Sequence, residues 1–310
     1  MTRSYDILVA GEINPDLILS DPGLSFQFGQ QETLVEDATL TIGSSSAIFA
    51  CGAARLGLRV GFIGVAGDDF FGSYMLQAMR EKGVDVSPVV IDPAQKTGLS
   101  VIFSRGVDRA IITHPGAMQA LRAEQVTDER LVQARHLHVA SYYLQTALQS
   151  GLPDLFHRAR RLGLTISLDT NWDPSGEWVG MDALLGMIDI FLPNEAEVLS
   201  LARAANLDGA LDRLARDSLT LAVKLGSKGG AARRGNERVS APAIPVQVVD
   251  TVGAGDSFDA GFICGFLRGW DLLQSLRLGV VCGSLSTRHA GGTAAQPTLD
   301  EALEAMHLAF

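Results

Sequence analysis

Short apolar segments alternate with longer helical patterns along almost the whole sequence, and this alternation limits the fold more than any other feature. The strand-like segments are 7–10, 59–66, 136–140, 164–169, 188–192 and 219–225. Helical patterns extend over 68–82, 153–162, 256–269 and 272–289. Strands that are apolar on both faces and separated by helices are typical of a parallel sheet covered on two sides. The sequence therefore predicts an α/β fold, a three-layer α/β/α sandwich with a mostly parallel central sheet.

Two regions, 12–42 and 97–113, break this alternation because they contain strand-like runs with no helix between them. Within the second region, residues 104–108 separate two such runs and predict a hairpin loop. We expect the two regions to form a small antiparallel sheet. That sheet would project as a lid from a single domain spanning residues 1–310.

Composition excludes several classes of protein. Hydrophobic residues make up 47% of the chain and charged residues 19%, which predicts a packed core rather than a disordered chain. No apolar run approaches the ~18 residues of a membrane span, so no membrane partner is expected. The net charge of −10 repels phosphodiester backbones and argues against nucleic-acid binding. Three widely spaced cysteines and the absence of a signal-peptide pattern predict a cytoplasmic protein without disulfides.

The strongest chemical signal is a glycine-containing string, 250–262 (DTVGAGDSFDAGF), between a strand-like run at 245–249 and a helical pattern. Glycines at a helix start let backbone N–H groups converge on an anion. Asp256, in the first turn, is then placed to accept the proton of a hydroxyl next to a bound phosphate. The alternative is a glycine turn in which Asp256 is an ordinary helix-capping carboxylate.

The whole string resembles the second signature of the ribokinase-like, or PfkB-type, sugar and nucleoside kinases. The resemblance implies that Asp256 is the catalytic base and that Gly253, Ala254 and Gly255 line the anion hole. It also implies a site for a monovalent cation such as K⁺ at Asp250 and Thr251.

Segments near the N-terminus resemble the substrate side of the same family. Asp16, in the string 11–16 (GEINPD), matches the sugar-binding aspartate, whose two oxygens can accept bonds from neighbouring hydroxyls. Segment 43–57 aligns with the first signature of the family, although Ser44 replaces its second glycine. We therefore expect four residues at the substrate: Asp16, Asn14, Gly43 and Ser44.

Three further segments resemble the nucleotide side. Asn194 and Glu197 match the N-x-x-E motif, which implies that they order Mg²⁺, its waters and the ATP phosphates, with Glu197 acting through water. From spacing alone, the same pair is also a helix capping box. Asn171 matches the D-x-N segment near the transferring phosphate. Lys224, Gly226 and Gly229 match a nucleotide-proximal turn, where the lysine either contacts a phosphate or is solvated.

Three positions depart from the family pattern. Ile48 and Met118 stand where the family has asparagine, and Asp173 stands where arginine is common. Because two of these changes remove polar groups near the expected sugar site, the substrate of any one family member cannot be transferred to this chain.

Together these features predict an ATP-dependent kinase that phosphorylates a hydroxymethyl group of a small sugar or sugar derivative. ATP and Mg²⁺ are the expected cofactors, with K⁺ in addition. A nucleoside kinase of the same fold is an alternative, and a non-catalytic sugar-binding or regulatory protein is another, although the intact Asp256 string argues against the latter. The resemblance also implies a homodimer formed through the lid, whose exposed strand edge gives a physical reason for pairing.

Overall fold

The computed structural model describes residues 3–25, 28–105 and 108–310. Its strands are β1 (Tyr5–Ala10), β2 (Pro15–Ser20), β3 (Asp37–Ile42), β4 (Val60–Ile63), β5 (Val65–Gly67), β6 (Val90–Asp92), β7 (Leu99–Arg105), β8 (Asp108–His114), β9 (Ala134–Val139), β10 (Thr165–Leu168), β11 (Ile190–Phe191), β12 (Thr220–Lys224), β13 (Gly230–Arg234) and β14 (Glu237–Ala241). Its helices are α1 (Ser45–Arg55), α2 (Phe70–Glu81), α3 (Asp128–Leu131), α4 (Thr146–Gln149), α5 (Leu152–Arg161), α6 (Met181–Leu185), α7 (Glu195–Ala202), α8 (Leu207–Leu214), α9 (Ala254–Leu267), α10 (Leu272–Ser286) and α11 (Leu299–Ala309).

Eight strands form the central sheet in the order β14-β13-β12-β11-β10-β9-β1-β4. The strands from β12 to β4 are parallel, whereas β13 and β14 add an antiparallel edge. Strand β1 lies between β9 and the edge strand β4, and its Ile7 is opposite both Val60 and His136. Its flanking strands explain why this first apolar run is buried along its length.

Both faces of the sheet are covered by helices, which confirms the predicted three-layer α/β fold. On one face, Ile7 and Val9 belong to a core that includes α1, α9 and α10. On the other face, Leu8 and Ala10 belong to a core that includes α5, α6 and α8. Alternate side chains of one strand therefore pack into two separate cores, which accounts for the continuous apolar runs in the sequence.

A second, four-stranded sheet has the order β3-β2-β7-β8 and includes parts of both regions predicted as a lid. Strands β7 and β8 form the predicted hairpin, although its tip at 106–107 lies outside the described residues. The expectation of a fully antiparallel sheet is wrong, because β2 and β7 pair in parallel with Asp16 opposite Ser100. Only strands joined by a short turn must be antiparallel, and the long chain between β2 and β7 leaves either direction open.

Two further local predictions are corrected. The predicted strand over 59–66 divides at Gly64 into β4 and β5, and β5 pairs with β6 in a separate two-stranded sheet. The strand-like run at 245–249 forms no strand. Its Val249 N–H donates instead to the carbonyl of Thr287, beyond the end of α10, at 2.8 Å. This run therefore reaches α9 as an irregular segment anchored to a helix end.

The structure also describes the three cysteines and the lengths of the helices. Cys51, Cys264 and Cys282 are all buried and free. Within the described ranges, we find no helix long and apolar enough to cross a membrane.

Candidate active site

Polar residues follow the carboxyl ends of consecutive parallel strands and meet at one edge of the central sheet. Glu12 follows β1, Ser141 follows β9 and Asp169 follows β10. Glu197 lies in the first turn of α7, after β11, and Lys224 is the last residue of β12. In open α/β sheets, ligands bind in the crevice outside these strand ends. The fold therefore assembles the candidate site from residues that are far apart in sequence.

Asp256 lies in the first turn of α9 and is 8% exposed. Burial raises the pKa of its carboxyl to about 8, and the nearby Asp169 and Glu12 carboxylates act in the same direction. The Lys224 ammonium and a hydrogen bond from Ser45 oppose that rise. A carboxyl with a pKa near neutrality is both available as a base and strong enough to take a hydroxyl proton.

The turn before α9 brings backbone N–H groups to the same edge. Gly253 has φ +70°, and a Cβ there would lie 2.7 Å from Cα of Gly292, so the position requires glycine. The amides of Gly255 and Asp256 belong to the first turn, where an α-helix supplies no carbonyl acceptor. Together with the positive end of the helix dipole, this turn is suited to an anion.

Lys224 forms a buried ion network beside this turn. Its Nζ lies 2.9 Å from Oδ2 of Asp169 and 3.1 Å from Oδ2 of Asp259. Burial alone would lower the pKa of the ammonium, but the two carboxylates outweigh burial and raise it, so the lysine stays charged. Carboxylate oxygens of Asp169, Asp256 and Asp259 lie within 4.8 Å of one another, and the Lys224 ammonium supplies their counter-charge.

Asn194 and Glu197 form the capping box of α7. Oε2 of Glu197 accepts from the Asn194 N–H at 2.8 Å, and Oε1 accepts from Nδ2 of Asn194 at 2.6 Å. Burial raises the pKa of Glu197 to about 7, and Asp169 contributes to the rise. Because each Glu197 oxygen already accepts a bond and keeps another lone pair, the carboxylate fits Mg²⁺ through water, a hard-oxygen environment that this ion prefers.

On the substrate side, Asp16 lies on β2 against the turn at Gly43. A Cβ on Gly43 would lie 2.1 Å from Oδ1 of Asp16, so only glycine lets this carboxylate approach. Burial raises the pKa of Asp16 to about 7. Nδ2 of Asn14 donates to Oδ1 of Asp16 at 3.3 Å, whereas the buried Oδ1 of Asn14 has no partner among the described residues. The two side chains thus present acceptors suited to hydroxyl groups.

Ser44 caps α1 and is held by Glu12. Its backbone φ of +64° explains why the related signature has glycine at this position. The hydroxyl accepts from the Ala47 N–H and lies 2.7 Å from the carbonyl oxygen of Glu12. Direct binding of substrate by this hydroxyl stays a prediction.

Asn171 adopts φ +51°, a conformation that asparagine tolerates well. Its Nδ2 donates to Oγ of Ser45 and to Oγ of Ser141, both at 2.7 Å. Its role at the nucleotide stays a prediction.

The remaining candidate residues occupy two loops at this side of the sheet. Asp250 accepts from the N–H groups of Val252 and Gly291 at 3.0 and 2.9 Å and so joins two loops, and Thr251 beside it is exposed. Gly226 and Gly229 have φ of +58° and +96° in the tight turn after β12. Their predicted contacts with a monovalent cation and a nucleotide stay predictions.

The three departures from the family pattern are all buried. Ile48 packs below the anion turn, since a Cβ added to Gly253 would lie 2.9 Å from its Cγ2. Met118 packs against Gly98 in the same manner. Asp173 accepts bonds from Ser175 and from the Trp178 N–H. These bonds outweigh burial and lower its pKa. Asp173 therefore holds its own loop together.

Sequence reasoning assigned no role to Glu12, Ser45, Ser141 or Asp259. The four residues are brought to the site by separate elements, so no spacing along the chain connects them. Two signals were available in the sequence: Glu12 lies two residues after the end of β1, and Asp259 lies three residues after Asp256 in the same string.

Comparison with known proteins agrees with this geometry. The family model described as pfkB family carbohydrate kinase matches residues 5–299. Ribokinase from Haemophilus influenzae is 29% identical over 307 residues, covering 96% of this chain and 97% of that protein. 2-Dehydro-3-deoxygluconokinase from Bacillus subtilis is 31% identical over 268 residues, covering 81% and 82%. A candidate ribokinase II from E. coli, solved in complex with ATP and Mg²⁺, superposes with a TM-score of 0.87 at 25% identity and covers 99% of this chain and 100% of that one. With a match over nearly its whole length, the chain belongs to the pfkB family of carbohydrate kinases and is a phosphotransferase.

Proposed function

We propose that this kinase transfers the γ-phosphoryl group of ATP to a hydroxymethyl group of a small sugar or sugar derivative, with Asp256 as the base. The observation that carries the proposal is the position of Asp256. Its buried carboxyl, with a pKa raised to about 8, lies in the first turn of the helix whose N-terminal amides face the same crevice. A proton acceptor and an anion-stabilising turn in one place are the two parts that phosphoryl transfer to an alcohol needs.

The substrate side supplies acceptors for the hydroxyls that do not react. The Asp16 carboxylate lies on β2 of the four-stranded sheet, and beside it lies Oδ1 of Asn14, which has no hydrogen-bond partner in the described part of the chain. Both groups accept hydrogen bonds, and the neighbouring hydroxyls of a sugar are donors held in a fixed geometry. Gly43 leaves room for the approach, so the three residues together orient a polyhydroxylated substrate.

The reaction then follows from the arrangement of the chain's own groups. The reacting hydroxyl oxygen forms a bond to the γ-phosphorus as the bond to the β–γ bridging oxygen breaks, and ADP leaves. The hydroxyl proton moves to a carboxylate oxygen of Asp256. The amides of Gly253 and Gly255 stabilise negative charge on the transferring group, whereas the predicted contribution of Ala254 requires its N–H to leave the carbonyl of Thr251, to which it donates at 3.3 Å.

The nucleotide side is shaped by Asn194, Glu197, Lys224 and the turn at Gly226 and Gly229. Glu197 would hold Mg²⁺ through water, and the ion supplies charge neutralisation on the ATP phosphates when bound. Asp250 and Thr251 would hold K⁺ near the anion turn. Because Asp250 already connects that turn to the loop at Gly291, a cation there would stiffen the turn.

The four-stranded sheet would close over the bound substrate. Asp16 on β2 and Ser100 on β7 lie in paired strands of that sheet, so its movement carries the substrate contacts with it. Closure excludes water and limits wasteful hydrolysis of ATP. We also propose that the sheet edge pairs with a second copy of the chain.

The test is ATP consumption with Mg²⁺ across a panel of hexoses, pentoses, sugar acids, polyols and nucleosides, each run with Na⁺ and with K⁺. Turnover with one sugar or sugar derivative, and identification of its phosphomonoester, would support the proposal. Turnover with a nucleoside alone would replace it with the nucleoside kinase alternative. Bound ATP with no turnover on any panel member would contradict it.

A further inference from the structure

The side-chain amide of Asn171 is held in one orientation at the edge of the crevice. Its Nδ2 lies 2.7 Å from Oγ of Ser45 and 2.7 Å from Oγ of Ser141. Oγ of Ser141 lies in turn 2.9 Å from Oε1 of Glu12. Ser45 begins α1, Ser141 follows β9 and Asn171 follows β10. One amide therefore joins three segments of the candidate site.

The directions of these hydrogen bonds decide which end of the amide faces the two serines. The buried Glu12 carboxylate accepts from the Ser46 N–H at 3.2 Å and from the Ser46 hydroxyl at 2.5 Å. Because a carboxylate only accepts, the single hydrogen of the Ser141 hydroxyl is donated to Glu12. Ser141 then has only lone pairs left for Asn171, and an amide carbonyl cannot bond to lone pairs. The NH₂ group of Asn171 therefore faces the serines, and each of its two hydrogens has a partner.

The carbonyl oxygen is the free end of this side chain. Oδ1 of Asn171 accepts no hydrogen bond from any residue that the structure describes, and it is not enclosed in the way that Oδ1 of Asn14 is. Asn171 is half-buried after the carboxyl end of β10, where a crevice ligand would lie. Because both amide hydrogens are used, the side chain offers a ligand only an acceptor. The phosphate oxygens of ATP are also acceptors, so they are unsuitable partners for it.

The serines that hold Asn171 belong to the substrate side of the site. Ser45 lies two residues after Gly43, where a Cβ would lie 2.1 Å from Oδ1 of Asp16. Ser141 is bonded to the segment that begins β2, through Glu12. Among the described residues, no hydrogen bond joins the Asn171 side chain to the residues proposed for the nucleotide side. The free oxygen therefore lies with the groups proposed to bind hydroxyls.

We propose that Asn171 determines specificity for the acceptor, because its Oδ1 accepts a hydrogen bond from a hydroxyl of the sugar. The inference rests on the proposed function, since it requires a polyhydroxylated acceptor next to Asp16. Asn171 and Oδ1 of Asn14 both offer acceptors, and both therefore select hydroxyl groups. A carboxylate or phosphate group in place of the hydroxyl at Asn171 would be repelled. The acceptor class is then a sugar that is neutral at this position rather than a sugar acid.

The first measurement tests the orientation of the amide without a ligand. Protein labelled with ¹⁵N at asparagine gives NH₂ signals from five residues, and Asn171→Gly identifies the signal of interest. Glycine adopts the φ of +51° without strain, so this variant keeps the local backbone. Two hydrogen bonds should slow exchange of the Asn171 NH₂ protons with solvent about tenfold relative to the exposed Asn236, and Ser141→Ala should speed it up. Equal exchange at Asn171 and Asn236 would overturn the proposal, because the carbonyl would then face the serines.

The second measurement separates the acceptor from the nucleotide. Calorimetric titration of ATP with Mg²⁺ should give the same dissociation constant for wild type and Asn171→Gly. For the acceptor found in the panel, Asn171→Gly should raise KM by about fivefold, the effect of one lost neutral hydrogen bond, and should change kcat less. Asn206→Gly is the matched control, because Asn206 caps α8 through the Gly209 N–H at 2.9 Å and glycine is a tolerated cap. The control should change neither constant.

Monodeoxy analogues of that acceptor identify the hydroxyl. One analogue should have the same KM in wild type and Asn171→Gly, because it lacks the group that Oδ1 binds. An acceptor KM that Asn171→Gly leaves unchanged would overturn the proposal. Tenfold weaker binding of ATP with Mg²⁺ would also overturn it, because the residue would then serve the phosphates or the water shell of the ion. Failure of every acceptor in the panel would instead contradict the proposed function, and it differs from a failure of this inference, in which turnover persists.

Discussion

Replacing Lys224 with methionine should destabilise the fold in a strongly pH-dependent manner. The lysine side chain is 12% exposed, and the side chains of its partners Asp169 and Asp259 are each 1% exposed. Methionine fills a similar volume, so the substitution mainly removes the positive charge. Two buried carboxylates then remain without a cation.

The magnitude follows from this burial. Removing one partner of a buried ion pair costs about 3–5 kcal/mol, because the remaining charge is left without compensation. Burial already raises the pKa of Asp259 well above its usual range, and Lys224 counters that rise. When the pKa of an acid is higher in the folded than in the unfolded state, the folded protein loses stability as the pH rises from the unfolded pKa towards the folded one. The loss in Lys224→Met should therefore be largest near pH 8 and smaller near pH 5, where Asp259 takes up a proton.

Urea unfolding followed by tryptophan fluorescence at pH 5 and pH 8 measures the effect. Lys228→Met is the matched control, because Lys228 pairs with Glu195 at 2.9 Å but its side chain is 67% exposed. Exposed pairs contribute about 0–1 kcal/mol, so this control should stay close to wild type. A Lys224→Met protein that loses no more stability than Lys228→Met would refute the reasoning. An equal loss at both pH values would refute the part that depends on Asp259.

Two further predictions concern the anion turn and the substrate side. Gly253→Ala should lower kcat by tenfold or more in steady-state assays, since φ +70° and the 2.7 Å approach to Gly292 force the turn to move; an unchanged kcat would show that the turn is not used. Asp16→Asn should raise KM for the acceptor by about tenfold, the effect of losing one charged hydrogen bond, with little change in KM for ATP. In the wild type, the acceptor KM should rise as the pH falls below about 7, where Asp16 becomes protonated; a pH-independent acceptor KM would contradict this assignment.

The layered fold could be predicted from sequence because its cause is local. Strands such as β1, β4 and β11 are apolar on both faces, and the longer helices between strands carry their own patterns of apolar residues. The parallel pairing of β2 with β7 could not be predicted in the same way. Nothing within either segment specifies a partner that lies some eighty positions away, as the opposition of Asp16 and Ser100 shows.

The candidate site also has one part that could be predicted from the sequence and one part that could not. The string around Asp256 is contiguous, so its turn, its helix and its candidate base can be read together. The contacts of Asn171 with Ser45 and Ser141 form only in the folded chain, because the start of α1 and the segments after β9 and β10 meet at one edge of the sheet. The prediction of a strand at 245–249 is wrong for a related reason, because β-branched residues form a strand only where a neighbouring strand is available to pair with them.

The central claim is that Asp256 accepts the proton of the acceptor hydroxyl. The most direct test compares wild-type and Asp256→Asn protein in two measurements, steady-state phosphorylation of the acceptor found in the panel and calorimetric binding of ATP with Mg²⁺. Loss of a general base lowers kcat by about 10²–10⁴-fold, and we expect a loss in that range with ATP binding retained. An Asp256→Asn protein that binds ATP and still phosphorylates the acceptor at the wild-type rate would contradict the account.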